Sequence, residues 1–381
     1  MSIEIDPALD KLARSVGEVV DHFVTVPFCT SGGPSVYAEK PIIGAIYGAA
    51  RERTGDLPLT YAAARALLER VPVGGRLVIG TGFVVPPVLR AEGDGPLGAP
   101  FLARAMALAR EAHTIVVTEP TNVEPIKQVM RASGLQVAEL EEALEVPHKT
   151  AVVPFPVGDD DLSRKAGIET LDLLKPDAIV TIEKLSRNTE GRYYNGMVTD
   201  LTDVTGKIDF MIEEARKRGI LTIGLGDGGN EIGMGNILDV IQERVPNGKA
   251  VGAATQTELL VVGASASWGS YGIEACLAAL TGKRHILHDE EMERRMLDQS
   301  ALAGIVDPLT GLAEGWLDGV PPQVNYAIVR ILNYLLEVRV RNWALNQYKE
   351  WGTRKEFNTE LLAKYAPILA NIGAAGLAGE Q

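Results

Sequence analysis

Apolar and polar positions alternate between two periods along this chain. Short runs of aliphatic and β-branched residues at 76–80 (RLVIG), 114–118 (TIVVT), 178–182 (AIVTI), 220–225 (ILTIGL) and 258–262 (ELLVV) have the length and composition of strands buried on both faces. Residues 135–137 and 151–155 add two weaker runs of the same kind. Between them the apolar spacing becomes helical, over 42–51, 61–70, 96–112, 123–132, 160–174, 208–217 and 231–244, and from the loop at 263–270 (GASASWGS) to Leu280. Thr60 suits the cap of the helix that follows it, and Pro96 suits a first helical turn.

Strand and helix in alternation predict an α/β fold, a mostly parallel sheet with helices on both faces. An N-terminal helix over 7–23 and a helical C-terminal extension complete it. The expected divisions are 1–40 for the N-terminal helix and loop, 41–320 for the α/β domain, and 321–381 for closing helices. Those closing helices fall at 322–343 and 361–372, with the small-residue tail GAAGLAGEQ frayed beyond them. The apolar stripe of the first helix (Leu9, Leu12, Val16, Val19, Val20, Phe23) has two readings, packing on the main domain or contact between copies in a homo-oligomer. The polar helix carrying His285 and His288 lies beyond the core strands. The loop 304–321, with Asp307 and Trp316, is placed to fold back towards the strand ends.

Composition narrows the classes. With 381 residues, 46% hydrophobic and 23% charged, the chain is an ordinary globular one rather than a disordered one. A net charge of −13 argues against nucleic acid or anionic membrane as partner, since both are bound through excess Lys and Arg. Two cysteines, Cys29 and Cys276, make neither a disulfide framework nor a thiolate metal site. The first residues lack the basic start and apolar core of a secretory signal, and no apolar run reaches the roughly 18 residues of a membrane span. A soluble cytoplasmic protein acting on a small molecule is the expectation.

The chemistry concentrates after the strand at 220–225. Residues 224–235 read GLGDGGNEIGMG, six glycines in twelve positions with Asp227, Asn230 and Glu231 between them. Such density indicates a ligand-binding turn, because glycine admits close approach of the backbone to a bound group. The GxGxxG match from Gly224 to Gly229 lacks the acidic residue that ends the next strand of a dinucleotide site, and Asp227 would repel a pyrophosphate. If the next helix starts near Asn230, Asp227 and Glu231 either cap and flank its first turn or reach the cleft as proton carriers. Glu183, ending a core strand, is either a site carboxylate or the partner of Lys184 or Arg187. Asp94 is a turn residue or a further site acid. Tyr194, Asn195, Ser267 and Trp268 supply donors and an aromatic wall. Dispersed histidines disfavour a histidine metal site, whereas Asp227, Glu231, Glu183 and Asp94 are oxygen ligands suited to Mg²⁺ or Mn²⁺. No other cofactor is expected.

Several stretches together resemble the D-glutamate cyclase family. They are TGF and GDGPLGA (81–83, 93–99), IEK and RNTEGRYYN (182–195), TIGLGDGGNEIGMG (222–235), SWGSYG (267–272) and the run from GIVDPLTG to GWLDG (304–319). The resemblance implies ring closure of D-glutamate to 5-oxo-D-proline with loss of water, or a related lactam-forming or lactam-opening reaction. It implies Asp227, Glu231 and Glu183 as catalytic groups. Asn230, Gly228, Gly229, Gly82, Asp94, Arg187, Tyr194, Asn195, Ser267 and Trp268 would bind substrate, with the N–H groups of Gly228 and Gly229 cradling a carboxylate or oxyanion. A metal-dependent hydrolase of a small cyclic amide and a non-enzymatic amino-acid or lactam sensor are the alternatives.

Overall fold

The computed structural model describes residues 5–28 and 42–352. The helix expected over 361–372 and the tail after it lie outside the described residues. Residues 1–336 form one compact unit, and 337–381 form a second whose described part is backbone of the last helix.

In chain order, helices α1 (Pro7–Val24), α2 (Ile42–Arg53) and α3 (Leu59–Arg70) lead to strand β1 (Arg76–Gly80). A short antiparallel hairpin, β2 (Val84–Val85) and β3 (Arg90–Ala91), precedes α4 (Gly98–Arg110) and β4 (His113–Thr118). Then come α5 (Val123–Ala132), β5 (Gln136–Val137), α6 (Leu140–Glu145), β6 (Lys149–Pro154), α7 (Asp160–Leu174) and β7 (Ala178–Ile182). The second half holds α8 (Asp209–Lys217), β8 (Leu221–Gly226), α9 (Leu238–Arg244), α10 (Gly248–Val251), β9 (Leu259–Val262), α11 (Ala266–Thr281), α12 (Glu290–Leu302) and α13 (Pro322–Gly352).

Seven parallel strands stand in the order β5-β6-β4-β1-β7-β8-β9. The chain starts at β1, adds β4 beside it, passes to the edge strand β5, fills the gap with β6, and returns to place β7 on the other side of β1. The order reverses between β1 and β7, and beyond the carboxyl ends of strands at such a reversal is the crevice where parallel sheets bind ligands. Registers pairing Gly80 with Thr181 and Ile182 with Leu225 bring the ends of β1, β7 and β8 level.

Each face of the sheet is covered, as strands apolar on both sides require. On one face Val78, Ile115, Val117 and Ile179 pack against Leu171 and Leu174 of α7 and Met211, Ile212 and Ala215 of α8. Helix α11 belongs to the other layer and is buried at every position from Ala266 to Leu280. Around it lie α1, α3 and α4. Gly272 lets α11 approach them, because a Cβ there would lie 2.6 Å from Thr60 Cγ2 and 2.9 Å from Val20 Cγ1. Of the apolar stripe of α1, Leu12, Val16 and Val20 are buried while Leu9, Val19 and Phe23 are half-buried, and α3 and α11 of the same chain pack on that helix.

Three local expectations are corrected. Helix α3 begins at Leu59, and its first N–H groups are capped from α1: Asp21 accepts from Leu59 N at 2.6 Å and Thr60 N at 3.3 Å, so Thr60 is inside the helix rather than its cap. The helix expected from Glu231 begins only after a 3₁₀ turn, Met234–Ile237, because the chain at Glu231 first pairs back with Leu185. Ser267 and Trp268 lie in the first turn of α11 rather than in a loop, since Ser265 caps that helix.

Candidate active site

Four loops meet at the crevice. The segment after β1 brings Glu92 and Asp94, β7 ends on Glu183, and the turn after β8 carries Asp227 and Glu231. The segment after α12 returns with Asp307 and Asp318. All seven carboxyl groups are at most 8% exposed. Neighbouring like charges at about 4 Å repel by about 4 kcal/mol at an effective dielectric of about 20, so so many buried acids together are costly unless neutralised.

Local geometry explains how the chain holds them. Asp94 caps α11 across the molecule: its Oδ2 accepts from Ala266 N and its Oδ1 from Ser267 N, both at 2.7 Å, with Gly95 N at 2.8 Å. The Ser267 hydroxyl accepts from Gly95 N at 2.9 Å and tightens the same turn. Glu231 folds back into its own loop, accepting from Gly228 N and Gly229 N at 2.7 Å each. Those two N–H groups, reserved for an incoming anion in the sequence reading, are therefore engaged by a carboxylate of the protein. Asp307 accepts from Gly319 N at 2.6 Å and Thr310 N at 2.9 Å, fixing the turn that presents Asp318. Glu183 holds a left-handed backbone, φ 44°, unusual for a residue with a Cβ.

The remaining acids are less satisfied. Asp227 Oδ2 and Glu183 Oε2 are buried without a hydrogen-bond partner. Burial first, then the charges of Glu231 and Asp227, pushes Glu183 well above the usual carboxylate range. Burial raises Asp227 likewise, reinforced by Asp318 and Glu231. Asp318 is raised by burial and by Asp94, with which it shares a hydrogen bond, and Glu92 by burial and by Asp318.

No ion pair among the described residues involves any of these seven groups. The two cations nearest Glu183 in sequence turn elsewhere: Lys184 is buried against Glu119, and Arg187 pairs with Asp209 and Glu213 while stacking 4.4 Å over Phe210. Neither neutralises Glu183, the alternative its position had left open.

Of the sequence-derived site residues, Asp227, Glu231, Glu183 and Asp94 converge. One carboxylate oxygen each from Asp94, Asp227 and Asp318 lie within 4.8 Å of one another, and so do those from Glu183, Asp227 and Glu231. Hard oxygen donors without His or Cys fit a Mg²⁺- or Mn²⁺-like ion. Asn230 donates to Tyr194 O at 2.9 Å, tying the glycine turn to the loop after β7. Asn195 organises its own turn, accepting from Met197 N and Thr199 N. Gly82 faces Thr118 and Glu119, and its carbonyl accepts from Lys184. Trp268 is no exposed wall: it is fully buried, donating to Asn325 Oδ1 at 2.8 Å. The sequence reading missed Glu92 and Asp318. The only signals were AEGDG, which places Glu92 two residues before Asp94, and GWLDG, quoted for the family resemblance without weight on its Asp.

The comparisons with known proteins agree with this architecture. The family described as D-glutamate cyclase-like, C-terminal, matches residues 53–333, which include all seven carboxyl groups. Human mitochondrial D-glutamate cyclase is 26% identical over 215 residues, covering 54% of this chain and 33% of that protein. The chain thus matches about a third of that relative's length. A match over most of the chain, spanning every strand and the acid-lined crevice, makes it a member of the D-glutamate cyclase-like C-terminal family.

Proposed function

We propose that the chain catalyses ring closure of D-glutamate to 5-oxo-D-proline with loss of water, or the closely related formation or opening of a small lactam. The observation that carries this reading is the pair of buried, unpartnered carboxyl oxygens, Asp227 Oδ2 and Glu183 Oε2, in an acid cluster that forms no ion pair among the described residues. Such a site attracts positive charge, whether a substrate ammonium group or a bound cation. Carboxyl groups with raised affinity for protons also carry them at neutral pH.

Ring closure needs both properties. The substrate nitrogen attacks the side-chain carboxyl carbon of the same molecule, so no second reactant need be captured. Two protons leave the ammonium nitrogen, and one carboxyl oxygen departs as water carrying both. Two carboxyl groups of the cluster carry these protons, one taking a proton from nitrogen and the other delivering one to the departing oxygen; in the metal-free chain Asp227 and Glu183 are free to do so. Glu231, with both oxygens held by loop N–H groups, keeps the turn in shape. Run backwards, the same groups open the lactam.

The experiment is incubation of the purified chain with D-glutamate, L-glutamate and 5-oxoproline, followed by chiral chromatography. Turnover of D-glutamate supports the proposal; turnover of none of the three removes it. The family membership and the 26% identity to the human enzyme support the reaction class.

A further inference from the structure

We infer that the acid cluster is a two-cation centre in which Asp227 is shared between two divalent ions. The carboxylates form two groups of three, Asp94–Asp227–Asp318 and Glu183–Asp227–Glu231, and only Asp227 belongs to both. Each group is built alike. One member is locked by main-chain N–H donors: Asp94 by Gly95, Ala266 and Ser267, and Glu231 by Gly228 and Gly229. The second member is the shared Asp227. The third, Asp318 or Glu183, stands on a non-glycine residue in the left-handed backbone region, φ 51° and 44°.

Independent of the clustering, two oxygens point to missing ligands. Asp227 Oδ2 and Glu183 Oε2 are shut from solvent yet bonded to nothing, on residues only 3% and 5% exposed. A buried carboxylate oxygen is normally paired. Locked ligands held by backbone donors are the outer support that oriented metal ligands require. The five carboxylates of the two groups sum to a formal −5, with Glu92 and Asp307 beside them, more negative charge than a single dication balances. All donors are oxygen, which selects Mg²⁺ or Mn²⁺ over softer ions. A carboxylate joining two ions is also a recurrent arrangement in two-metal sites.

The test reads binding without substrate, so it stands or falls apart from the ring-closure reading. The full chain is stripped with EDTA, dialysed and titrated with MnCl₂, following stoichiometry by calorimetry and the Mn²⁺ signal by electron paramagnetic resonance. Two ions per chain and a spin-coupled spectrum at saturation are expected. Asp227→Asn then weakens both ions at least tenfold, while Asp318→Asn and Glu183→Gln each leave one ion and an uncoupled spectrum. Far-ultraviolet circular dichroism checks that each variant is folded. The wild-type stoichiometry and coupling decide the matter even if a variant is not folded. One ion, none, or two uncoupled ions in the wild type overturns the proposal, as does folded Asp227→Asn retaining both.

Discussion

Helix α11 joins two buried clusters of charge that are treated in opposite ways. At its first turn, the N–H groups of Ala266 and Ser267 hold Asp94 within the acid-lined crevice. Two turns on, Glu274 meets His288, with Nδ1 and Oε2 2.9 Å apart. His288 Nε2 lies 3.4 Å from Glu293, which accepts from the Tyr271 hydroxyl at 3.2 Å, and Phe101 stacks on the imidazole at 3.6 Å. This second cluster contains its own cation: burial pushes His288 down, but Glu274 and Glu293 outweigh it and lift it to about 9. Lys184 and Glu119 make a further matched pair one residue from Glu183. In both of these places a cationic side chain of the protein stands beside the buried acids. In the crevice no ion pair among the described residues reaches the seven acids, and unpaired buried acids with raised proton affinity are what candidate functional sites carry.

The sharpest way to break this contrast is Asp227→Asn, which removes the shared carboxylate. Turnover falls by about a thousandfold or more, in the range of lost acid–base catalysis, while the urea midpoint holds or rises. Equal loss of fold and activity would make Asp227 structural and erase the distinction.

His288→Ala is the converse experiment. It leaves Glu274 and Glu293 buried without a cation, and destabilisation of about 3–5 kcal/mol is expected from denaturant unfolding. A loss below about 1 kcal/mol would show that the second cluster is not held by charge pairing.

A pH series sharpens the same point without mutation. The His288 pKa, about 9 when folded, lies above the ordinary value of 6.5. Its contribution is therefore complete below pH 6.5, where both states carry the proton. Above that the folded state alone keeps it, so stability is lost as pH rises through about 9. The loss is on the order of 3 kcal/mol. Unfolding midpoints at intermediate pH values trace it, and His288→Ala flattens the slope; an unchanged slope in that variant sinks the assignment.

The smallest expected effect belongs to Asp318→Asn in the metal-free chain. Removing one of the mutually repelling buried acids stabilises the fold by about 1 kcal/mol, visible as a raised thermal midpoint. A lowered midpoint would mean that the shared hydrogen bond with Asp94 outweighs the repulsion.

Much of this was legible in the chain, and for physical reasons. The core strands announce themselves because burial on both faces demands unbroken β-branched runs, and Ala178–Ile182 is found at the residues expected. Asp227, Glu231, Glu183 and Asp94 were legible because they sit just beyond strand ends. The glycines misled in part. A Cβ at Gly224 would lie 2.2 Å from Ile232 O and one at Gly235 2.5 Å from Ala254 O, so these positions let the loop pack against its own chain rather than against a ligand. Asp21 capping α3 and Asp318 joining Asp94 depend on contacts between distant stretches, which no local period encodes. His288 reads as part of a polar helix, yet it precedes α12 and is fully buried, because Glu274 and Glu293 supply the polarity it needs.

The Glu231 turn has one more consequence, best put as host and guest. The N–H groups of Gly228 and Gly229 form a receptor whose guest is tethered three residues or fewer away. A tethered guest acts at the effective concentration set by its short linker, millimolar or above even for flexible tethers. A free carboxylate, phosphate or sulfate must outcompete that resident before it gains a single backbone hydrogen bond. For the proposed substrate, with a carboxylate at each end, these two N–H groups are therefore not a vacant anion site.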